Sequence, residues 1–339
     1  HHRAHTPMGR WDSRTLTNLL GRMQACFDSF RGQCVRVGLD AEIVLVEWNP
    51  PPDKARLGEV LQLPCVPQCP VRIIEVPPAI HATIPHSDRL PLFQMIAKNA
   101  GIRRSRGTFV LATNVDILFS DALVERLAQR RLRSDRMVRV DRYDIAAAPA
   151  HGTLNEQALT VLRINTRDGT RDLRDGTVHR IYKPMSWHQR LAACGLATPR
   201  THTRLHTNAC GDFTLMHRDR WHDLRGYAEF ATYSMHLDSL LCHAAHHAGV
   251  RETVWPDPCR AYHIEHAPGS GFAPEHRHQL DDRLRTAGVP QITHAQFAAW
   301  ALQMRRERRP LRFNADTWGL AAYALPEAAP HPAPLRAAA

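Results

Sequence analysis

Lys98–Asp121, KNAGIRRSRGTFVLATNVDILFSD, reads as the end of a helix, a basic turn, a buried strand and an acidic residue just past that strand. Phe109, Val110, Leu111 and Ala112 make a nearly continuous apolar run. Such a run suits a central parallel strand covered on both faces. Asn114 and Asp116 then fall where the strand ends. Open α/β sheets bind ligands outside the carboxyl ends of their strands. A carboxylate there, with Lys98, Arg103, Arg104 and Arg106 nearby in sequence, suits a metal ion and an anionic phosphate ligand.

Outward from this stretch, the pattern alternates. Leu16, Leu19, Leu20, Met23 and Phe27 recur at three- and four-residue spacing and predict a helix over 13–31. Residues 42–48 read as a strand closed by Asn49 and three prolines, 55–63 as a short helix and 71–76 as a second strand. A helix over 91–100 follows, with Gly101 expected to end it in a left-handed turn. The strand 108–113, a helix over 120–131 and a strand over 136–142 complete the first half. This alternation predicts an α/β fold with a mostly parallel sheet flanked by helices.

From 145 to 207 the pattern weakens, and turn signals such as Arg167-Asp168-Gly169 and Arg174-Asp175-Gly176 become frequent. Regular structure resumes with a strand over 212–217, a helix over 234–248 and strands over 251–255 and 261–265. Helices over 275–286 and 294–309 form a C-terminal extension. The Ala/Pro-rich stretch from Pro326 reads as a disordered tail.

The chain has 339 residues, 43% hydrophobic and 23% charged, with a net charge of +11 carried almost wholly by arginine. This is a globular composition. The arginines are dispersed, which favours a phosphorylated substrate or a membrane surface over nucleic acid. Eight cysteines lack paired spacing and read as reduced thiols, so a cytoplasmic location is expected. No export signal and no run of about 18 apolar residues is visible. The last helix carries Phe297, Trp300 and Met304 ahead of Arg305, Arg306, Arg308 and Arg309, a pattern suited to peripheral contact with an anionic membrane or to packing on the domain.

Two blocks carry a resemblance. The first is Ala97-Lys98-Asn99-Ala100-Gly101-Ile102-Arg103-Arg104-Ser105-Arg106-Gly107, then the strand, then Asn114-Val115-Asp116. The second runs from Gly211-Asp212-Phe213 through Arg218, Trp221, Arg225-Gly226-Tyr227 and Glu229 to His236-Leu237-Asp238. Together they resemble nucleotide-sugar-dependent glycosyltransferases of the GT-A fold, family 2-like, over roughly 40–250. The resemblance implies a Rossmann-like single domain with a nucleotide-sugar-binding half (1–150), an acceptor-binding and catalytic half (151–270), C-terminal helices (271–325) and the tail (326–339). Such folds normally begin with a strand before the first helix, and residues 1–10 make a poor one.

The resemblance also implies roles. Asp116 and the late histidines His263 and His266 would hold Mn2+ or Mg2+, which stabilises the charge growing on a departing diphosphate. Where the family has its first aspartate this chain has Asn114, suited instead to a ribose or sugar hydroxyl. Glu47, Asn49, Lys98, Asn99 and Asp212 would bind donor or acceptor. Asp238 would be the base that takes the acceptor hydroxyl proton in an inverting transfer. Implied partners are a nucleotide-sugar donor and a glycan or lipid-linked glycan acceptor. The alternatives are a nucleotidyltransferase, for which the Gly-rich loop after the first strand is not seen, and a non-catalytic basic protein binding nucleic acid or membrane.

Overall fold

The computed structural model describes residues 13–147, 154–181, 204–266 and 277–328. Helix α1 (Ser13–Val37) lies beneath two separate sheets. Its Met23 and Phe27 pack with Leu45, Val71 and Ile73 of the first sheet, and its Cys26 packs with Leu118 and Tyr262 of the second. Gln33 donates to the Phe119 carbonyl at 2.8 Å, tying the helix to the second sheet.

The first sheet pairs β1 (Ile43–Trp48) with β2 (Val71–Val76) in parallel, Ile43 opposite Val71 through Trp48 opposite Val76. Short helices α2 (Leu57–Val60) and α3 (Pro78–His81) follow these strands. The other edge of β2 is covered by β3 at the chain's far end (Glu327–Ala328 in sequence; here termed the closing strand), antiparallel, with Glu327 opposite Ile74. Residues 327 and 328 are therefore ordered where a disordered tail is expected from Pro326, because Arg72 holds Glu327 by two hydrogen bonds of 2.6 and 2.8 Å. The rest of that tail, 329–339, lies outside the described residues, as does the segment 1–12.

The second sheet is mixed. Apart from the closing strand, strands are numbered in chain order: β4 (Phe109–Ala112), β5 (Ile117–Phe119), β6 (Arg136–Ile145), β7 (Val161–Thr166), β8 (Gly169–Asp172), β9 (Val178–Arg180), β10 (Thr214–His217) and β11 (Arg251–Ile264). The spatial order is β4-β10-β6-β7-β8-β9, with β11 along the other side of β6 and β5 on β11. Among the described residues, β6 and β11 are the one parallel pair of this sheet, and the remaining pairs are antiparallel. The expected mostly parallel sheet is thus confined to β1–β2 and β6–β11. Residues 251–264 form one strand with an irregularity between Trp255 and Arg260, where two strands are expected.

Strand β6 decides where the site lies. Its first residues pair with β10 (Met137 and Val138), and its last pair with β7 (Arg142 to Ile145). On that side the sheet forks at the middle of β6. The segment 204–212 fills the fork, held by the fully buried Arg139, whose guanidinium donates to the carbonyls of His206 (3.1 Å) and Cys210 (3.0 Å) and to Thr214 Oγ1 (2.8 Å).

Helix α4 (Gln94–Arg104) packs on β1. It continues through Gly101, which is not in the left-handed region. A Cβ there would sit 3.1 Å from Val46, so Gly101 serves close helix–strand packing. Helix α5 (Asp121–Ala128) is capped by Ser120, whose side chain accepts from Leu123 N. Helices α6 (Arg218–Leu224) and α7 (Leu237–His247) follow β10, and α8 (Arg277–Thr286) and α9 (His294–Glu307) come last. Phe297, Trp300 and Met304 of α9 pack into the cluster around Trp221 and Leu240, so this apolar face is used inside the protein.

Gly226 has φ +69°, and a Cβ there would lie 2.2 Å from Asn99 Oδ1. Gly226→Ala should lower stability by about 1–3 kcal/mol, the usual cost of a strained backbone site. Urea unfolding checks this; an unchanged midpoint would contradict the packing described.

Candidate metal and substrate site

The carboxyl ends of β4, β6 and β11 and the amino end of the antiparallel β10 come to one edge of the second sheet. There, Asp116 in the turn after β4 meets two imidazoles. Asp116 Oδ2 is 3.1 Å from His266 Nε2 and 3.8 Å from His263 Nε2. Ligand atoms of these three residues all lie within 4.8 Å of one another. The other carboxylate oxygen, Oδ1, is buried with no hydrogen-bond partner. A buried unpaired carboxylate oxygen is costly unless something cationic meets it. Two imidazoles and a carboxylate form a donor set for a divalent ion, and the orphaned Oδ1 fits such an ion.

Electrostatics support an ionised Asp116. Burial works against its charge, but His266 and His263 more than offset this and hold the carboxyl below its usual range. For His263, burial opposes the imidazolium, yet Asp144 and Asp116 bring it above the ordinary histidine value.

A second cluster adjoins the first. Asn114 donates to Asp212 Oδ1 at 2.5 Å and accepts from Gln94 at 3.0 Å. Arg142 donates to Asp212 Oδ2 at 2.6 Å. Lys98 donates to the Gly211 carbonyl at 2.6 Å. Burial lowers its ammonium pKa, opposed by Asp212, Asp238 and Asp116. Asp238, in the first turn of α7, accepts from Gly211 N (2.9 Å) and Ser239 N (2.7 Å). Lys98, Asn114, Asp212 and Asp238 are thus brought together around the segment that fills the fork.

Other expected site residues have structural work. Asn99 is fully buried; its amide donates to the Tyr227 carbonyl and Glu229, and its oxygen accepts from Tyr227 N at 2.8 Å. With both ends used inside the core, it does not reach a substrate. Arg103 and Arg104 donate to carbonyls at Asp316, Trp318, Gly319, Leu320 and Tyr323. They clamp the last segment of the chain, in place of the phosphate expected from sequence. Glu47 Oε1 accepts from Leu57 N at 2.9 Å at the start of α2, and burial raises its carboxyl. Asn49 sits beside it with φ 48°, its N–H on the Val76 carbonyl.

Charges at the site went unread in the sequence, among them the half-buried Arg142 and the buried Asp144 and Arg163. Asp144 is fully buried and paired with Arg142, Arg163 and His263. The available signal is spacing: in Asp141-Arg142-Tyr143-Asp144, the second and fourth residues of a strand share one face.

No family model matches the chain, and no curated protein matches its sequence. Among solved structures, the crystal structure of GalNAc-T7 with UDP, GalNAc and Mn2+ is similar, at 13% identity and a TM-score of 0.36, over 82% of this chain and 53% of that one. The chain spans about half the length of that protein. A likeness of this degree assigns no residue and no ligand here.

Saturating Mn2+ should raise the melting temperature, since a ligand at 100 times its Kd adds about 2.7 kcal/mol. Asp116→Ala and His266→Ala should each remove the shift in a thermal melt. A wild-type melt indifferent to millimolar Mn2+, Zn2+ and Mg2+ would contradict the site.

Proposed function

We propose that the protein is a metal-assisted glycosyltransferase that moves a sugar from a nucleoside diphosphate sugar to a hydroxyl of a glycan or lipid-linked glycan, with inversion. The observation that carries this reading is the Asp116–His263–His266 cluster with its orphaned Asp116 oxygen, placed at strand ends. The two sequence blocks that resemble GT-A glycosyltransferases supply the rest, and both converge on this edge of the sheet through Asn114–Asp212 and Lys98–Gly211.

In this reading Asp116, His263 and His266 hold Mn2+ or Mg2+, which would neutralise charge on the departing diphosphate. Lys98 adds a second cation beside the same place. Glu47 and Asn49, at the end of β1, would take the base and ribose. Asn114 and Asp212 hold each other and line the donor sugar. Asp238 takes the acceptor proton: its oxygens are steadied by two backbone N–H groups and the Ser239 hydroxyl, and Oδ2 keeps a lone pair. Asp212 is the poorer base, because Arg142 and Asn114 engage both its oxygens.

Incubation with a panel of UDP- and GDP-sugars plus Mn2+ should release nucleoside diphosphate slowly, even without acceptor. Asp238→Asn should still bind nucleotide by calorimetry while losing about 100-fold or more of transfer. Failure of every nucleotide to bind in the presence of metal would refute the reading.

A further inference from the structure

His263 has two neighbours that a metal site treats differently. Its Nε2 faces Asp116 Oδ2 at 3.8 Å, while its Nδ1 lies 3.2 Å from Asp144 Oδ1. Asp144 sits on β6, β11's parallel partner, directly opposite His263 in the register. It is fully buried and accepts from Arg163 Nε (3.0 Å), Asn165 Nδ2 (3.1 Å) and Arg142 Nη2 (3.3 Å). Two guanidiniums keep it an acceptor-only carboxylate. The proton between Asp144 and His263 therefore belongs to Nδ1, and the lone pair of the neutral ring is on Nε2, the nitrogen turned to Asp116.

We infer that Asp144 is a positioning residue that fixes the tautomer and aim of His263, and thereby sets the cluster's preference for first-row transition ions over Mg2+. This rests on the metal-binding reading of Asp116, His263 and His266. A metal-ligating histidine is normally oriented by a carboxylate or carbonyl on its second nitrogen, and removing that partner typically costs 10–100-fold in affinity. The selectivity follows from the donors: imidazole nitrogen suits transition ions, whereas Mg2+ prefers oxygen ligands and keeps its waters. If His263 pointed elsewhere, Asp116 and His266 would remain, a site with one nitrogen fewer.

Asp144 is not itself a ligand of that ion. Asp144, His263 and Glu265 also come close enough to share one cation, but a cation is already there: Arg163 donates to Asp144 and, at 2.5 and 2.6 Å, to Glu265. The guanidinium balances both carboxylates, which leaves Asp144 free of any metal and available to steady the imidazole.

Asp144→Asn tests this. The change is isosteric, Arg142 keeps Asp212, and Arg163 keeps Glu265. Metal-free protein is titrated with Mn2+ by electron paramagnetic resonance and with Mg2+ by competition against it. Wild type should prefer Mn2+ by at least about tenfold, and Asp144→Asn should lose 10–100-fold in Mn2+ affinity with Mg2+ affinity changed far less. Nitrogen NMR of 15N-histidine protein, at a pH where the ring is neutral, should show His263 as the Nδ1–H tautomer in wild type and a mixture in the variant. The wild-type spectrum decides even if the variant does not fold, since an Nε2–H tautomer overturns the inference. So does a variant that binds Mn2+ within twofold of wild type. If wild type binds no metal, the cluster reading fails with it; if wild type binds Mn2+ and only the variant result disagrees, the role of Asp144 alone falls.

Discussion

The buried guanidinium of Arg139 is the constraint on which the site depends. A charge taken out of water is tolerated only when its donors are met. Arg139 meets this through Nε and Nη1, on the carbonyls of His206 and Cys210 and the hydroxyl of Thr214, while its Nη2 is buried without a partner. Two of those acceptors belong to the segment in the fork of β6 and the third opens β10, so the arginine holds both ends of the backbone that carries Gly211 and Asp212. His206 adds a contact to Asp141 at 2.9 Å, and its N–H is held by Glu252. A loop without regular pairing thereby has a defined course.

From that anchor a polar network runs across the strand ends. Asp212 joins Asn114 to Arg142, Arg142 joins Asp144, and Asp144 joins His263, which faces Asp116. Positive and negative groups alternate along it. Arg142, Asp144 and His263 are placed by strands whose register leaves little freedom, because a one-residue slip turns a side chain to the opposite face. A donor set built this way is organised before any ligand arrives, which lowers the ordering cost of binding.

Much of the first half was legible in the sequence. The apolar run 109–112 is β4, but it is an edge strand antiparallel to β10 and not the central parallel strand expected; Asp116 lies just past it. His263 and His266 were named through the resemblance, and the strand end brings them beside Asp116. Asn99 was misread because its partners, Tyr227 and Glu229, lie far along the chain, and a fully used amide looks like an available one. The hairpins over 161–180 escaped for a different reason. Their buried face carries Arg163, Asn165, Thr170 and Asp172, so hydrophobic alternation is inverted. Only the two Asp-Gly turn signals marked them. The charges that line the site hid the strands that hold them. The mixed sheet was unread because its other antiparallel pairs, β4–β10, β6–β10 and β5–β11, join strands far apart in the chain.

The central claim is that Asp116, His263 and His266 form one divalent-metal site at the strand ends. Anomalous diffraction from crystals grown with Mn2+ and a nucleoside diphosphate tests it most directly. The account predicts a manganese peak bonded to all three side chains, with diphosphate oxygens on the same ion. A peak elsewhere, or clear density for the nucleotide with no metal among these residues, would contradict it.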